Sequence, residues 1–580
     1  MLRKKSGVIA SVLIMALLGS ACSSGNSRGE NAPSGIADTA APSASQEASG
    51  SAPERTNGPL VKYDPPIEVS ITQPLNQGRD YPEGDTDMDN TWTRGIAEEL
   101  GIKITYPWQV DGTQYANKTN VTIASGDLPD IMLVNTQQML QLVEAGKVEE
   151  LTEVIDKFAL PRLKEDLYNK DGMYMQPATF GGKAMALPYL NEAPENSTRM
   201  LWVRTDWLKA LNLPEPKTAE DVFKIAEAFA KNDPDGDKKN NTFGIGILKD
   251  IYENTGDVGS FLNMFHARSN AYQGDMMFYD DGSGKLVYGS IQPETKAGLA
   301  KLQEMYKAGL IDKEWGTKDQ SAVVSDVVAG KIGMWFGAWW NIGWPVTDLA
   351  VKDPKAEVKG FPIPSIDDKP AAASASYPVG QYYVVRKGFK NPEALIKLAN
   401  MWYDIRYAED GRGSQDKTVT DKYLTTPDQK TVWLQSPVIF FSTLPKDPQD
   451  TINFKEAIET GDTSKLTESQ KQDLEKYLKG KNGERELYVE YLRNDPVLSP
   501  YVIQTYYAQN NLVGANEFRG GTTKTMTEKA STLSKLETET FTRIIMGASL
   551  EEFDKFVENW KKLGGDQITQ EVNDWAASLK

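Results

Sequence analysis

The sequence predicts an α/β protein whose folded body consists of two lobes. Strand-like and helix-like patterns alternate along residues 67–146, and a second alternation of the same kind begins at residue 200. Hydrophobic residues make up 39% of the 580 residues, which is enough apolar surface for a large core. At about 150 residues per domain the length alone suggests four domains. Two large lobes joined by crossing strands account for the pattern better.

The first lobe begins with alternating strands and helices. Gly101 and Gly146 fit the ends of two of these helices, because glycine readily adopts the left-handed conformation that closes a helix. The order of the elements predicts a parallel sheet covered by helices. In sequence order we expect strand 67–71, helix 92–100, strand 102–104, strand 131–134 and helix 136–145.

The second lobe begins after the segment that ends at Tyr189. Thr218 and Asp221 have the spacing of a capping box in which Asp takes the place of Glu or Gln. Beyond them, Val222, Ile225 and Phe229 line one face of a predicted helix. The remaining predicted elements are strand 200–203, helix 293–308, strand 332–334 and helix 391–403.

Charge and composition exclude several functions. With 64 Lys and Arg against 81 Asp and Glu, the net charge of −17 disfavours binding to nucleic acids. A single Cys excludes an internal disulfide, a Cys-rich zinc site and an iron–sulfur cluster. The only histidine, His266, follows the apolar stretch that begins at Phe261, which favours a partly buried helix residue over a catalyst.

The first 21 residues have the features of a secretion signal peptide. A basic start is followed by an apolar stretch, 8–18, that is too short to span a bilayer. Small residues then precede Cys22, which resembles the lipobox of bacterial lipoproteins, although Gly19 replaces the usual large aliphatic residue. The alternative is an ordinary signal peptide. Residues 22–60 are rich in Ser, Ala, Gly and Pro and are expected to form a disordered linker behind the acylated Cys.

Several motifs in the folded body resemble the extracellular solute-binding proteins of ABC importers, in particular the large oligosaccharide-binding lipoproteins of the maltose-binding-protein-like family. The resemblance implies a periplasmic-binding-protein-like fold, with two α/β lobes, a hinge and a ligand cleft between the lobes. It implies lobe 1 from 61–190 and about 372–450, and lobe 2 with the C-terminal helices from about 191–371 and 451–580. The motifs are Ala124–Asp130, Leu201–Leu208, Asp233–Asp237, Gly330–Met334 and Ile544–Gly565.

A cluster of tryptophans around residue 340 is the first candidate for ligand binding. Trp335, Trp339, Trp340 and Trp344 lie within ten residues, at the expected end of a strand. A sugar ring has an apolar face that can stack on an aromatic ring while its hydroxyl groups remain free for hydrogen bonds. Residues 337–339 are also similar to the short motif with which maltose-binding-type proteins present a sugar-stacking Trp. The alternative is that the cluster packs between the lobes.

Other candidates are polar and aromatic residues at expected strand ends, crossovers and loops. Arg204 follows a strand and could form a bidentate pair with a uronate or a hydroxyl pair. For each residue of this group, core packing or a surface ion pair is an equally good interpretation. The remaining members are Asn135, Thr136, Tyr189, Gln381, Tyr382, Trp92 and Trp108.

The segment 233–241 has the alternation of a calcium-binding loop. Asp233, Asp235, Asp237, Lys239 and Asn241 occupy every second position, with Lys239 expected to offer its carbonyl. Glycine falls at the fourth position instead of the sixth, and a bidentate Glu is missing from the twelfth, so the loop departs from an EF-hand. Similar loops in alginate- and oligosaccharide-binding relatives hold a structural ion. The alternative is a solvated turn.

Together these features predict a monomeric substrate-binding lipoprotein of an ABC transporter. It would be lipid-anchored on the extracellular face of a bacterial cell membrane, capture an oligosaccharide and deliver it to permease subunits. Catalysis is not expected, because the residues show neither a nucleophile motif nor a Cys-His pair. Three alternatives remain: an extracellular glycosidase or lyase using two carboxylates, a peptide-binding lipoprotein, and an adhesion or wall-scaffold lipoprotein.

Overall fold

The computed structural model describes residues 58–75, 81–190, 194–270, 276–377, 379–407, 412, 416–426, 430, 432–442 and 448–578. The predicted signal peptide, Cys22 and almost all of the predicted linker lie outside these residues. Among the helices that are described, none has both the length and the apolar character needed to cross a bilayer.

Residues 58–190 form a strand-and-helix unit. The elements are β1 (Ile67–Thr72), α1 (Thr91–Leu100), β2 (Ile102–Thr105), α2 (Gly112–Ser125), β3 (Ile131–Asn135), α3 (Thr136–Glu144), α4 (Thr152–Phe158), α5 (Pro161–Gly172), β4 (Thr179–Phe180), β5 (Lys183–Ala184) and β6 (Leu187–Pro188).

Residues 194–377 form a second unit. It contains β7 (Arg199–Arg204), α6 (Thr205–Ala210), α7 (Ala219–Lys231), α8 (Val258–Asn263), β8 (Phe278–Asp280), β9 (Leu286–Tyr288), α9 (Pro293–Lys307), α10 (Gln320–Val328), β10 (Met334–Ala338), α11 (Val346–Lys352), β11 (Val358–Phe361) and β12 (Ala373–Ala375).

The described residues after 377 are mainly helical. Their elements are β13 (Gln381–Val385), α12 (Glu393–Arg406), α13 (Lys417–Tyr423), α14 (Pro448–Thr460), α15 (Glu468–Lys481), α16 (Tyr488–Asn494), α17 (Pro500–Gln509), β14 (Val513–Ala515), α18 (Lys524–Ile545), α19 (Glu551–Trp560) and α20 (Asp566–Ser578).

The buried apolar residues form two large cores. The first extends from Tyr63 to Leu190 and includes the segment from Val379 to Phe440; we call this part lobe 1. The second extends over 200–373 and 488–572, and we call it lobe 2. A small third cluster joins α14 and α15 through Ala457, Leu466, Leu474 and Tyr477. Two cores in one chain confirm the predicted two-lobed α/β architecture.

Local signals set several element ends, and those at Gly101 and Thr218 are as predicted. Asn90 caps α1 through a capping box with Thr93, and Gly101 ends that helix with φ +64°. The predicted box of α7 is also present, because Thr218 accepts from the backbone N–H of Asp221 and the Asp221 carboxylate accepts from the N–H of Thr218. These ends depend on neighbouring residues only, which is why the sequence reveals them.

The lobe 1 sheet is mixed rather than fully parallel. Its strand order is β2-β1-β3-β13-β6, with β1 parallel to β2 and β3, and β13 antiparallel to β3. The reversal follows from the path of the chain. It returns from lobe 2 at the edge where β3 ends, so β13 starts opposite Asn135 and runs back along β3.

The central sheet of lobe 2 is antiparallel throughout. β7 lies between β10 and β11 and runs opposite to both. In an antiparallel pair the carboxyl ends of neighbouring strands lie at opposite edges of the sheet. The end of β10 therefore meets the start of β7 near Arg199, and the end of β7 lies at the far edge, next to Val358.

Candidate ligand-binding site

One edge of the lobe 1 sheet brings together five of the predicted ligand residues. Asn135 at the end of β3 lies opposite Gln381 at the start of β13, and the backbone N–H of Tyr189 donates to the Gln381 carbonyl at 2.9 Å. Burial raises the pKa of Tyr382, which keeps its phenol neutral, and its hydroxyl group is hydrogen-bonded to the side chain of Thr136. Residues from three separate segments thus share this edge.

A cavity of about 250 Å³ opens beside this edge. One wall comes from lobe 1, through α3 and the turn before β4; the other comes from the segment after β14 and from α20 in lobe 2. The cavity therefore lies between the lobes, close to the lower end of the size range of small-molecule sites. It is lined by Thr136, Leu140, Gln176, Pro177, Thr179, Phe180, Arg519, Gly520, Gly521 and Trp575.

Two adjacent glycines allow close approaches at the cavity, one within the lobe 2 wall and one between the two walls. A Cβ on Gly520 would lie 2.5 Å from Cδ1 of Trp575, so the backbone passes directly against the indole ring. A Cβ on Gly521, where φ is +76°, would lie 2.8 Å from Cγ2 of Thr136 in lobe 1. Only glycine combines this positive φ with such a close approach at low cost.

The aromatic and charged groups of the cavity were not identified from the sequence. Trp575 packs edge-on against Phe518, with ring centroids 5.1 Å apart, and remains partly exposed. Arg519 precedes the two glycines. The Gly520-Gly521 pair shortly before Thr523, the N-cap of α18, is the one local signal that could have drawn attention to this segment.

The tryptophan cluster divides into buried and accessible members. Trp335 has 0% of its surface exposed, lies opposite Trp202 in the sheet, and donates from Nε1 to Oδ1 of Asn341 at 2.9 Å. Trp339 and Trp340 come just after the end of β10 and are partly exposed. The ring of Trp339 lies 5.4 Å from that of Tyr501. Trp335 is a core residue, because β10 is buried on both of its faces.

Arg204 is placed away from the other candidates. It is 2% exposed, and its guanidinium binds the carboxylate of Asp206 at 2.8 and 2.6 Å and lies over the ring of Trp207. Because β7 is antiparallel to β10, Arg204 lies at the opposite edge of the sheet from Trp339. Asp206 occupies Nε and Nη2 and leaves only Nη1 without a partner, so this arrangement does not favour the bidentate uronate contact considered for Arg204.

The two tryptophans expected at loops of lobe 1 differ in burial. Trp92 is 1% exposed, donates from Nε1 to the carbonyl of Tyr423 at 3.0 Å, and packs against Trp402. It therefore fixes α1 against α12 and α13 and offers no surface to a ligand. Trp108 is partly exposed and packs against Tyr115.

The aspartate-rich loop gathers its carboxylates as the spacing predicted. Asp233, Asp235 and Asp237 each offer an oxygen within 4.8 Å of the others. Burial raises the pKa of Asp235, and the neighbouring Asp233 and Asp237 raise it further. Lys239 donates from Nζ to Asp237 at 3.0 Å, and Asn241 donates from Nδ2 to the same carboxylate at 3.1 Å. A divalent cation bound among the three carboxylates would relieve the repulsion between their negative charges.

His266 does not form a catalytic triad. Its Nε2 lies 2.9 Å from Asp367 and 3.3 Å from the Ser365 hydroxyl, so both partners use the same ring nitrogen. A triad requires the acid on one nitrogen and the nucleophile on the other. The residue follows α8 with φ +62° and is partly exposed.

Two α/β lobes with a cavity between them define a two-lobed ligand-binding protein. Residues 85–409, more than half of the chain, match the family of bacterial extracellular solute-binding proteins. The chain belongs to this family.

Three curated relatives are similar in sequence. The fructooligosaccharide ABC transporter substrate-binding protein FusA of Streptococcus pneumoniae is 25% identical over 54% of this chain. The lipoprotein LipO of Bacillus subtilis is 24% identical over 44% of this chain. The polygalacturonan/rhamnogalacturonan-binding protein YtcQ, also of B. subtilis, is 22% identical over 84% of this chain. The matches cover 56%, 47% and 85% of those proteins, so the chain spans about half the length of the first two.

Solved structures share the fold. The HMO binding, ABC-transporter-associated solute-binding protein of Bifidobacterium longum infantis superposes with a TM-score of 0.59 at 18% identity, covering 88% of this chain and 98% of that chain. An EF-hand mutant of S. pneumoniae FusA, in complex with fructo-nystose, superposes with a TM-score of 0.57 at 16% identity, covering 88% of this chain and 99% of that chain. At these identities the similarity establishes the two-lobed, periplasmic-binding-protein-like fold.

Proposed function

We propose that this protein is the substrate-binding component of an ABC importer and captures an oligosaccharide between its two lobes. The observation that carries the proposal is the composition of the interlobe cavity. Trp575 and Phe180 offer aromatic rings, while Thr136, Gln176 and Thr179 offer uncharged hydrogen-bonding groups. Sugars need this combination, because their rings have apolar faces and polar edges. The sugar ligands in the names of FusA and YtcQ agree with it.

We propose that the ligand stacks on Trp575 and extends along the lobe 1 edge. Thr136 is the residue common to the cavity and to that edge, and Tyr382 orients it through a hydrogen bond. The further residues proposed to contact the sugar are Asn135, Tyr189, Gln381, Trp108, Trp339 and Trp340. Binding requires closure of the lobes and no covalent step, so the protein is proposed not to be an enzyme.

Replacing Trp575 with alanine is expected to weaken oligosaccharide binding at least tenfold, because the stacking surface for the sugar ring is lost. Isothermal titration calorimetry with a panel of oligosaccharides identifies the ligand and measures the effect. Phe180→Ala should weaken binding in the same direction. Tyr506→Ala, an exposed aromatic on α17 that does not line the cavity, serves as the control.

Two results would contradict this placement. Undiminished binding in Trp575→Ala together with a large loss in Trp339→Ala would move the sugar to the end of β10. Release of shortened sugars during prolonged incubation would indicate an enzyme.

We propose that the loop 233–241 binds a structural calcium ion. Carboxylate and amide oxygens are the ligands that calcium prefers. Besides the three carboxylates, Oδ1 of Asn241 is buried and has no hydrogen-bond partner among the described residues, so it is available to an ion. The EF-hand named for the FusA mutant supports a related loop in this family.

Calcium is expected to raise the melting temperature by a few degrees, since an ion at a hundred times its Kd stabilises the folded state by about 2.7 kcal/mol. Asp235→Asn should remove this shift and, in chelator, melt no lower than the parent protein, because it relieves repulsion among the three carboxylates. Differential scanning calorimetry in calcium and in EDTA measures both effects. Asp281→Asn, in a different exposed turn, should keep the full shift. Equal melting of the parent protein in calcium and EDTA would reject the site.

We further propose that Cys22 is acylated and that residues 22–60 tether the body to the extracellular face of the cell membrane. The name of the relative LipO and the family's extracellular character support this. In this arrangement the protein acts as a monomer that delivers its ligand to permease subunits, and it needs no contact with nucleic acid.

A further inference from the structure

Arg519 is the only charged residue among those that line the interlobe cavity, within the part of the chain that the structure describes. Its Nε is buried without a hydrogen-bond partner, and the described residues give its guanidinium no ion pair. The molecule has a large excess of carboxylates, with 81 acidic against 64 basic residues. An arginine left unpaired in such a chain has an unused capacity for binding an anion.

Two carboxylates on the segments that form this wall are engaged elsewhere, Glu517 just before Arg519 and Glu571 on α20, the helix of Trp575. Glu517 pairs with Arg268 at 3.5 Å, and Glu571 accepts from the hydroxyl of Thr525 at 2.6 Å. None of the ten described residues lining the cavity is acidic. An anion entering the cavity would therefore meet a cation without a competing negative charge at the wall.

Two helix starts add to the positive character of the cavity. α3 begins at Thr136, which lines the wall in lobe 1, and α18 begins at Lys524, three residues after Gly521. The amino-terminal end of a helix carries a partial positive charge. Both contributions have the same sign as the charge on Arg519.

The position of Arg519 relative to Trp575 indicates what kind of anion fits. Gly520, the next residue, passes directly against the Trp575 ring. Arg519 and Trp575 both line the same cavity of about 250 Å³. In a uronic acid the carboxylate is attached directly to the ring, so a ring stacked on Trp575 can hold its carboxylate against the guanidinium fork.

We infer that the cavity selects a carboxylate-bearing sugar, an oligouronide, with the carboxylate paired to Arg519 and the ring stacked on Trp575. This inference rests on the proposed sugar-binding function and specifies its ligand. It assigns to Arg519 the role that the sequence suggested for Arg204.

The test compares each acid with its own uncharged ester. Trigalacturonate and trimannuronate, and the methyl ester of each, are titrated into the full folded chain by isothermal titration calorimetry. The parent protein should bind at least one acid at least tenfold more tightly than its ester, and added NaCl should weaken binding of the acid but not of the ester. The Arg519→Gln variant should bind that acid at least tenfold more weakly than the parent protein does, and its affinity for the ester should fall less than threefold.

Two further variants control for charge and folding. Arg543→Gln makes the same change in net charge at an exposed position of α18 and should bind the acid as the parent protein does. Arg519→Lys should bind with intermediate affinity, because lysine keeps the charge but loses the fork. Thermal melting verifies that each variant is folded, and the acid–ester comparison on the parent protein stands without any variant.

The outcomes separate this inference from the proposed function. Tight binding of neutral oligosaccharides without preference for an acid would overturn the oligouronide ligand and leave the sugar-binding function intact. Preference for a sulfated trisaccharide or a triglutamate peptide over both uronides would also overturn it. Failure to bind any saccharide would reject both. Equal losses for acid and ester in Arg519→Gln would show that Arg519 does not read the charge.

Discussion

Replacement of Trp335 by alanine is expected to lower the free energy of unfolding by about 3–5 kcal/mol, the range found for a buried aromatic side chain. Trp335 is fully buried in the core of lobe 2, and its Nε1 donates to Oδ1 of Asn341. The substitution leaves a cavity the size of an indole and removes a hydrogen bond from a buried amide. Urea unfolding followed by circular dichroism measures the loss.

Matched variants decide whether this effect belongs to the core. Trp339→Ala, four residues along the chain at a partly exposed site, should cost about 1 kcal/mol or less, as surface substitutions do. Trp335→Phe should lower the free energy of unfolding less than Trp335→Ala does, because phenylalanine keeps most of the apolar volume. It should still be less stable than the parent protein, since it lacks the Nε1 donor. If Trp335→Ala abolished ligand binding with its stability intact, Trp335 would belong to the site and its placement in the core would be wrong.

Glu537 on α18 is expected to make the protein lose stability as the pH rises from about 4.5 to 7. Burial raises the pKa of Glu537 to about 7 from its ordinary value of 4.5. Its carboxyl group accepts from the phenols of Tyr252 at 2.5 Å and Tyr288 at 2.6 Å and from Nδ2 of Asn270 at 3.1 Å, and all three partners are uncharged. These hydrogen bonds offset only part of the cost of burying a charge, so the folded state favours the protonated acid.

The sign follows from proton linkage. Because the pKa of Glu537 is higher in the folded state, the stabilisation is complete below the unfolded pKa of about 4.5 and is lost as the pH rises through about 7. At about 1.4 kcal/mol per pKa unit the total from this group is about 3 kcal/mol. Glu537→Gln, which mimics the protonated acid, should remove this component and be more stable than the parent protein at pH 8.

Urea unfolding at pH values from 4.5 to 8 measures the effect. The control is Glu539→Gln, the same substitution on the exposed side of the same helix, which should keep the pH profile of the parent protein. Superimposable profiles for Glu537→Gln and the parent protein would refute the buried, protonated carboxyl group.

Much of the local structure follows from the sequence because its causes are local. The caps at Asn90 and Thr218 and the stop at Gly101 lie where residue chemistry places them. The spacing of the three aspartates likewise anticipated a cluster of oxygens within 4.8 Å. Strand direction was less accessible, since the antiparallel course of β7, β10 and β13 depends on where the chain enters each lobe.

The candidate site was predicted only in part, for the same reason. Asn135, Tyr189 and Gln381 were placed at strand ends and crossovers, and the structure brings them to one edge of a sheet. Trp575 and Arg519 belong to the C-terminal region, and a sequence pattern does not indicate that this region returns to lobe 1. The contact with lobe 1 depends on Gly521, whose missing side chain allows the close approach to Thr136.

By itself the sequence determined the α/β class, the two-lobed organisation and the resemblance to solute-binding proteins, because these follow from periodicity, end signals and motif order. Only the tertiary structure decided which of the described tryptophans are buried, and that Arg204 has an ion pair while Arg519 has none among the described residues. A strand presents its side chains alternately to two faces, and the packing of neighbouring elements decides which face is covered. Neighbouring elements cover both faces of β10, so Trp335 lies in a core, whereas Trp339 follows the end of the strand at the edge of that core. Arg204 is paired with Asp206, and Arg519 lines the cavity.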